Sequence, residues 1–283
     1  MLNYFIFKVI RFLSKLIPFV IGDKLCVGGG TLWYLLDKKR RNNVEANISL
    51  VCHYVSDGFS KKRITKLSKS VFVGFYTYLY EFFRCDPITP EWIKENVEVT
   101  GKEYIDEALK NKKGVIALTL HVGNWELGAR ITAALGYPLY AVALPFKNKS
   151  VSRLFTRQRE ECGVHSIEVG NAVKDVLGAL KKNALVALLA DYVPTDKGVK
   201  ATLFGESVHF SRGPYALSVK TTSPIVPCIL VRGGKKRFRL LFEKPILCDT
   251  EEACVREVMN VSEKLILNNP GQWCLFRDIR KGS

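Results

Sequence analysis

The sequence predicts an α/β fold: a mostly parallel central sheet flanked by helices, with an N-terminal membrane-associated helical segment in front of it. Three observations predict it. The apolar runs VIALTL (115–120), LYAVAL (139–144), ALVALLA (184–190) and IVPCILV (225–231) are uncharged and of strand length. Helical stretches near 124–135, 150–162, 171–182 and 213–222 lie between or after them. All-apolar strands separated by helices belong to a sheet covered on both faces. The third observation is the amino terminus, which is apolar and aromatic but carries a spaced set of basic residues.

In MLNYFIFKVIRFLSKLIPFVIGDKL, Lys8, Arg11 and Lys15 step by three and four, which puts them on one helix face. Phe5, Val9, Phe12, Leu13 and Leu16 fall largely elsewhere on the wheel. A basic amphipathic helix of this kind suits the headgroup region of an anionic bilayer. A core-packing helix with a cationic outer face is the plainer alternative, and a transmembrane insertion over 16–36 is also open. No small-x-small cleavage site follows, so a removed signal is not expected. The run Lys38, Lys39, Arg40, Arg41 extends the basic character.

Residues 62–84 predict a helix, because Ile64, Leu67, Val71, Phe75, Tyr78 and Phe82 keep a period of three to four. CDPITP breaks it, and we divide the chain there: a helical segment over 1–90 and a catalytic domain over 91–283. VRGGKKRFRLLFE predicts a hairpin with Gly233-Gly234 near its turn, and a last helix runs over 250–268.

With 283 residues the chain can bury a sizeable core. A net charge of +16 favours anionic partners such as phosphates, acidic proteins or anionic membrane faces. Nucleic acid is not expected, since no binding motif is present and aromatics do not interleave with basic residues on any predicted strand. The eight cysteines are scattered without C-x-x-C spacing, so neither a zinc site nor a disulfide framework is expected.

In such sheets the chemistry gathers at the carboxyl ends of the strands. His121 closes the 115–120 run and Asp191 closes the 184–190 run. Imidazole accepts a proton near neutral pH, and does so best when a carboxylate fixes its tautomer. Glu126 follows His121 by five residues, whereas His53, His165 and His209 are followed at that distance by Gly58, Gly170 and Pro214. Gly123 frees the turn and Asn124 is a candidate N-cap. The residues alone leave two readings open, a catalytic base or a buried, hydrogen-bonded structural histidine.

HVGNWELG resembles the H-x-G-N-W-E block of the lipid A late acyltransferases, within the wider glycerolipid acyltransferase superfamily and its H-x4-D/E motif. DKKRRNNVEANISLV, NKSVSRLFTRQREECG, ADYVPTDKGVKATLFGESVHFSRGPYALSVKTTSPIVPCIL and NNPGQWCLFRDIR resemble further family blocks, in order, from about residue 38 to 280. Tyr192, Leu203, Ser211-Arg212, Phe276 and Asp278 depart from the family pattern. The resemblance implies a glycerolipid acyltransferase-like fold and transfer of a fatty acyl chain to a hydroxyl of a membrane glycolipid, a lipid A precursor first. The donor would be a thioester of acyl carrier protein or coenzyme A, with no other cofactor and no metal. It implies His121 as general base and Glu126 as its orienting partner. Asn124, Arg153, Arg157, Arg159 and Asp191 are the candidate substrate-binding residues, with Arg159 foremost among the arginines. Lys197 and Lys200 are candidate lipid-facing residues. Developing negative charge on the thioester carbonyl would be met by backbone N–H groups of the Gly123-Asn124 turn or by an arginine. Expected partners are anionic membrane lipid, the glycolipid acceptor and acyl carrier protein, at the cytoplasmic face of a bacterial inner membrane. The same chemistry on a phosphatidylinositol mannoside or an ornithine-type lipid is the nearest rival.

Overall fold

A computed structural model describes residues 2–55, 60–84, 86–168, 172–191, 193 and 198–281. Tyr192 and Lys197 lie outside the described residues.

Two helices joined at an elbow come first, α1 (Leu2–Leu16) and α2 (Phe19–Leu36). They are followed by α3 (Lys38–Tyr54) and α4 (Lys61–Arg84). The sequence reading took the start of α3 only as a charged run. In the structure Asp37 caps it, accepting the Arg40 N–H, and Val44, Ile48 and Cys52 turn inward. Lys38, Lys39 and Arg40 point to solvent. α2 crosses α4 at close range through glycine: a Cβ on Gly30 would lie 2.6 Å from the Val73 Cα.

Among the described side chains of α1, the large apolar ones are not buried. Phe5, Phe12 and Leu16 are exposed, and the helix docks through Arg11, Ser14 and Ile17 instead. These described side chains give α1 no core-packing face. No helix among the described residues is long and apolar enough to cross a membrane. The elbow between α1 and α2 is held by side chains of α4. Arg84 Nη1 donates to the Ile17 carbonyl at 2.6 Å and the Tyr80 hydroxyl to the same oxygen at 2.8 Å. These satisfy a carbonyl that the end of α1 leaves without a helical partner. Phe19 is sandwiched between the guanidinium groups of Arg84 (4.1 Å) and Arg237 (4.3 Å).

The rest of the chain alternates strand and helix. The strands are β1 (Val97–Thr100), β2 (Val115–Thr119), β3 (Leu139–Ala143), β4 (Val164–Glu168), β5 (Leu185–Leu189), β6 (Val199–Leu203), β7 (Glu206–Phe210), β8 (Ile225–Arg232) and β9 (Phe238–Phe242). The helices are α5 (Pro90–Asn96), α6 (Lys102–Lys110), α7 (Trp125–Ala134), α8 (Lys149–Glu160), α9 (Ala172–Lys181), α10 (Gly213–Thr221) and α11 (Glu251–Asn268). A short 3-10 turn at Pro270–Gln272 follows.

Seven of the described strands form one sheet in the order β1-β9-β8-β2-β5-β3-β4. β8, β2, β5, β3 and β4 run parallel, while β9 reverses against β8 and carries β1 with it. The expected hairpin is the β8–β9 pair, and Gly233 and Gly234 take positive φ in its turn. β6 and β7 make a separate antiparallel ribbon. β2 and β5 are central, and Val115, Ile116, Leu185 and Val186 are fully enclosed. Each such side chain contributes about 1.5–3 kcal/mol by leaving water. Two layers of core result, one on either face of the sheet. The helical layer α2–α4 shares a further cluster with Cys274 of the closing segment.

Candidate active site

β2 and β5 are neighbours, parallel and in register, with Thr119 opposite Leu189. Two residues beyond those positions stand His121 and Asp191, so the sheet itself sets them side by side. Asp191 Oδ1 is 2.8 Å from His121 Nδ1, and the backbone N–H of His121 donates to both Asp191 oxygens at 3.0 and 3.1 Å. The indole N–H of Trp273 donates to Oδ2 at 3.0 Å. Asp191 is 0% exposed. Burial alone would drive its carboxyl toward the neutral form. The His121 ring charge, the bonds from His121 and the Trp273 N–H outweigh that and hold the group below the usual carboxylate range. In the neutral ring with Nδ1–H directed at Asp191, the basic nitrogen is Nε2. The His121 side chain keeps 20% of its surface exposed, so the ring is reachable. Trp125 packs edge-on to it, with centroids 4.8 Å apart.

This corrects the expected partner. The hydrogen bond that fixes the ring comes from Asp191, seventy residues away, and Glu126 faces a different group. Arg159 grips Glu126 through Nε at 2.9 and 3.2 Å and through Nη2 at 2.5 Å. The reason is geometric. Glu126 lies in the first turn of α7, whose flank meets α8 and Arg159, while Asp191 leaves the adjacent strand at the height of His121. Both members of the Glu126–Arg159 pair are largely buried, at 9% and 11% side-chain exposure. Burial works against the Arg159 charge, but Glu126 more than restores it and raises the guanidinium above its ordinary value. Tyr78 lies against this pair, and burial together with the Glu126 charge pushes its phenol well above the usual range. Its ring stacks on Trp125 at 4.5 Å.

The turn from β2 into α7 is fixed by backbone pairing. Gly123 N–H donates to the Gln272 carbonyl at 2.8 Å, Asn124 N–H to Leu230 at 2.9 Å, and Cys274 N–H to His121 at 2.6 Å. Gly123 has φ +73°, and a Cβ there would lie 1.9 Å from the Leu230 carbonyl oxygen, so no other residue fits. The Gly123 and Asn124 N–H groups are therefore already committed to protein carbonyls, which removes them as donors to a developing oxyanion. Asn124 caps α7 as expected, accepting from Leu127 N–H at 3.0 Å. Its amide N–H donates to Glu81 at 2.7 Å. Glu81, buried on α4, also pairs with Arg232 and Arg237 from the β8–β9 hairpin.

The structure thus brings together His121, Asp191, Asn124, Glu126 and Arg159 around one turn. Arg153 and Arg157 point away. Arg153 is exposed and bonds to Ser150, and Arg157, with 77% of its side chain exposed, pairs with Glu161. Lys200 is exposed on the β6–β7 ribbon. Trp273, Tyr78 and Glu81 were not foreseen as part of the site. Only Trp273 had a signal, its place beside Gln272 in the closing block. Among the described residues no group of three or more His, Cys, Asp or Glu side chains is placed to hold a metal ion. An open pocket of about 410 Å³ lies behind the His121 turn, between α4 and the closing segment, with Gly74, Gly123, Arg232 and Cys274 in its wall.

Residues 1–280 match the profile of the bacterial lipid A biosynthesis acyltransferases. The chain is 26% identical over 166 residues to a phosphatidylinositol mannoside acyltransferase of Mycolicibacterium smegmatis, a match covering 57% of this chain and 54% of that protein. It therefore spans about half the length of the mannoside acyltransferases it matches. It is 25% identical over 266 residues to the lipid A biosynthesis lauroyltransferase of Escherichia coli, covering 91% of this chain and 84% of that protein. It is also 25% identical over 244 residues to the palmitoleoyltransferase of the same organism, covering 83% and 77%.

Proposed function

Since the chain belongs to the bacterial lipid A biosynthesis acyltransferase family, we propose that it moves a fatty acyl chain from an acyl thioester to a hydroxyl of a membrane glycolipid, with a lipid A precursor as acceptor. The observation that carries this reading is the His121–Asp191 pair: a partly exposed imidazole whose Nδ1 is bound to a buried carboxylate. An acceptor hydroxyl placed at Nε2 gives up its proton as its oxygen attacks the thioester carbonyl. Asp191 keeps the tautomer and stabilises the imidazolium that forms. The tetrahedral adduct collapses, the C–S bond breaks, and the proton on Nε2 goes to the departing thiolate. An ester and a free thiol result.

In this reading His121 is the base and Asp191 its positioning residue. Glu126 and Arg159 form a locked ion pair that shapes the substrate side of the turn, with Arg159 as the cation nearest to an anionic group of substrate. The thioester is that of acyl carrier protein or coenzyme A. The exposed apolar side chains of α1 and α2, with Lys8, Lys15 and Lys24 among them, support attachment to the surface of an anionic bilayer, and the reading puts this at the cytoplasmic face of the inner membrane. A phosphatidylinositol mannoside acceptor is the second reading, favoured by the similarity to the mycobacterial enzymes.

The test is an acyl-transfer assay with labelled acyl carrier protein and acyl-coenzyme A against a lipid A precursor and a phosphatidylinositol mannoside. Purified full-length protein is compared with His121→Ala. Transfer undiminished in that variant would sink the proposal, and the preferred acceptor separates the two readings.

A further inference from the structure

The outer face of α8 is distinctive. Lys149, Arg153 and Arg157 are all exposed and step by four, so they form one basic stripe along the helix. Each end of the stripe meets exposed apolar side chains. Before α8, the loop from β3 carries Leu144 and Phe146, each 44% exposed, with Pro145 and Lys147 also in solvent. After the last turn, Glu161 pairs with Arg11 of α1 at 2.7 Å, which sets the exposed Phe12, Leu13 and Leu16 of that helix close by. α8 has 12 residues, so its two ends lie about 18 Å apart.

The opposite face of the same helix belongs to the active site. It carries Arg159, which grips Glu126. The loop residues Leu144, Pro145 and Phe146 share a small pocket with Arg159, and the Phe146 ring packs on Phe155 of α8 at 4.6 Å. The helix therefore separates the site from the basic stripe, while the apolar loop adjoins Arg159 directly.

We infer that α8 lies in the headgroup layer of an anionic bilayer, with Leu144 and Phe146 dipping into the leaflet beside the active site. Charge and apolarity together select this occupant. The stripe matches anionic headgroups within a Debye length of about 8–10 Å. Large apolar side chains at both ends match the acyl layer beneath. An acidic protein would satisfy the stripe but would leave the apolar tips uncovered. The attachment is a second one, separate in sequence from α1 and α2, and it rests on the reading that the acceptor is a membrane lipid. It allows an acceptor hydroxyl to approach His121 while the lipid's chains stay in the leaflet.

The test uses full-length protein carrying Leu144→Trp, with vesicles of phosphatidylglycerol and brominated phosphatidylcholine. Emission in excess of that from the native tryptophans is expected to shift to the blue and be quenched. Vesicle-bound protein whose added emission is neither shifted nor quenched overturns the inference, as does a response to acyl carrier protein but not to vesicles. A second variant combines Leu144→Glu with Lys149→Glu. It is expected to bind the vesicles at least about 10-fold more weakly. It is also expected to lose transfer to vesicle-embedded acceptor while retaining transfer to detergent-dispersed acceptor. Equal loss in both assays overturns the inference. His121→Ala should abolish both, so failure of the proposed reaction is told apart from failure of the docking surface.

Discussion

His121 and Asp191 stand two residues beyond Thr119 and Leu189, which face each other on neighbouring parallel strands. The catalytic histidine of the proposed reaction is therefore oriented by the sheet and not by the loop that carries it. The Trp273 N–H locks the carboxylate from the opposite side.

Asp191→Asn keeps the shape of that carboxylate and removes its charge. The amide can present its NH2 to the ring and favour the wrong tautomer. Transfer is expected to fall by about 10³-fold or more, with near-ultraviolet circular dichroism unchanged. A loss under tenfold would show that the ring is oriented by something else.

The same residue contributes to the acid side of stability. Its folded pKa is depressed, so its contribution is fully present above the ordinary carboxylate range and is lost as pH falls through the lower folded value. Urea midpoints of the wild type are expected to drop as the pH is taken below about 4. Asp191→Asn should start less stable and show a shallower acid limb. Parallel limbs in the two proteins would contradict the assignment.

Arg159→Met leaves the buried Glu126 carboxylate without its partner, a loss expected at about 3–5 kcal/mol in denaturant unfolding. Adding Glu126→Gln removes the orphaned charge and should recover most of that stability. If transfer does not recover with it, the pair takes part in substrate positioning and is more than a strut.

Trp273→Phe keeps the ring and deletes the N–H. Asp191 loses one of its donors, and stability is expected to fall by about 1–3 kcal/mol. Transfer is expected to fall with it, because Asp191 is held less firmly against the His121 ring. Unchanged transfer would confine Trp273 to packing.

Gly123→Ala introduces a methyl group onto the Leu230 carbonyl at a positive φ. It is expected to cost more than about 1 kcal/mol and to displace the His121 turn. Differential scanning calorimetry and the transfer assay should both register it.

Much of this was legible in the sequence. The uncharged runs marked β2, β3, β5 and β8, and His121 and Asp191 were visible as the polar residues that end two of them. Their pairing was not legible, because strand order and register are long-range properties that periodicity does not carry. Glu126 was the nearer acid by sequence and so drew the role that the proposed reaction gives to Asp191. The short strands β1 and β4 and the β6–β7 ribbon are too polar or half-exposed to stand out. The first turn of α3 is so basic that its buried face begins only at Val44.

The elbow clasp has a mechanical consequence. Arg237 touches both Phe19 and Glu81, and Glu81 receives the amide of Asn124, the residue that starts α7. A short relay of side chains thus runs from the α1–α2 elbow to the N-cap of α7. The N-terminal helices are thus tied to the start of α7 by side-chain contacts as well as by the chain itself, so the seat of Phe19 and the cap of α7 belong to one packed unit.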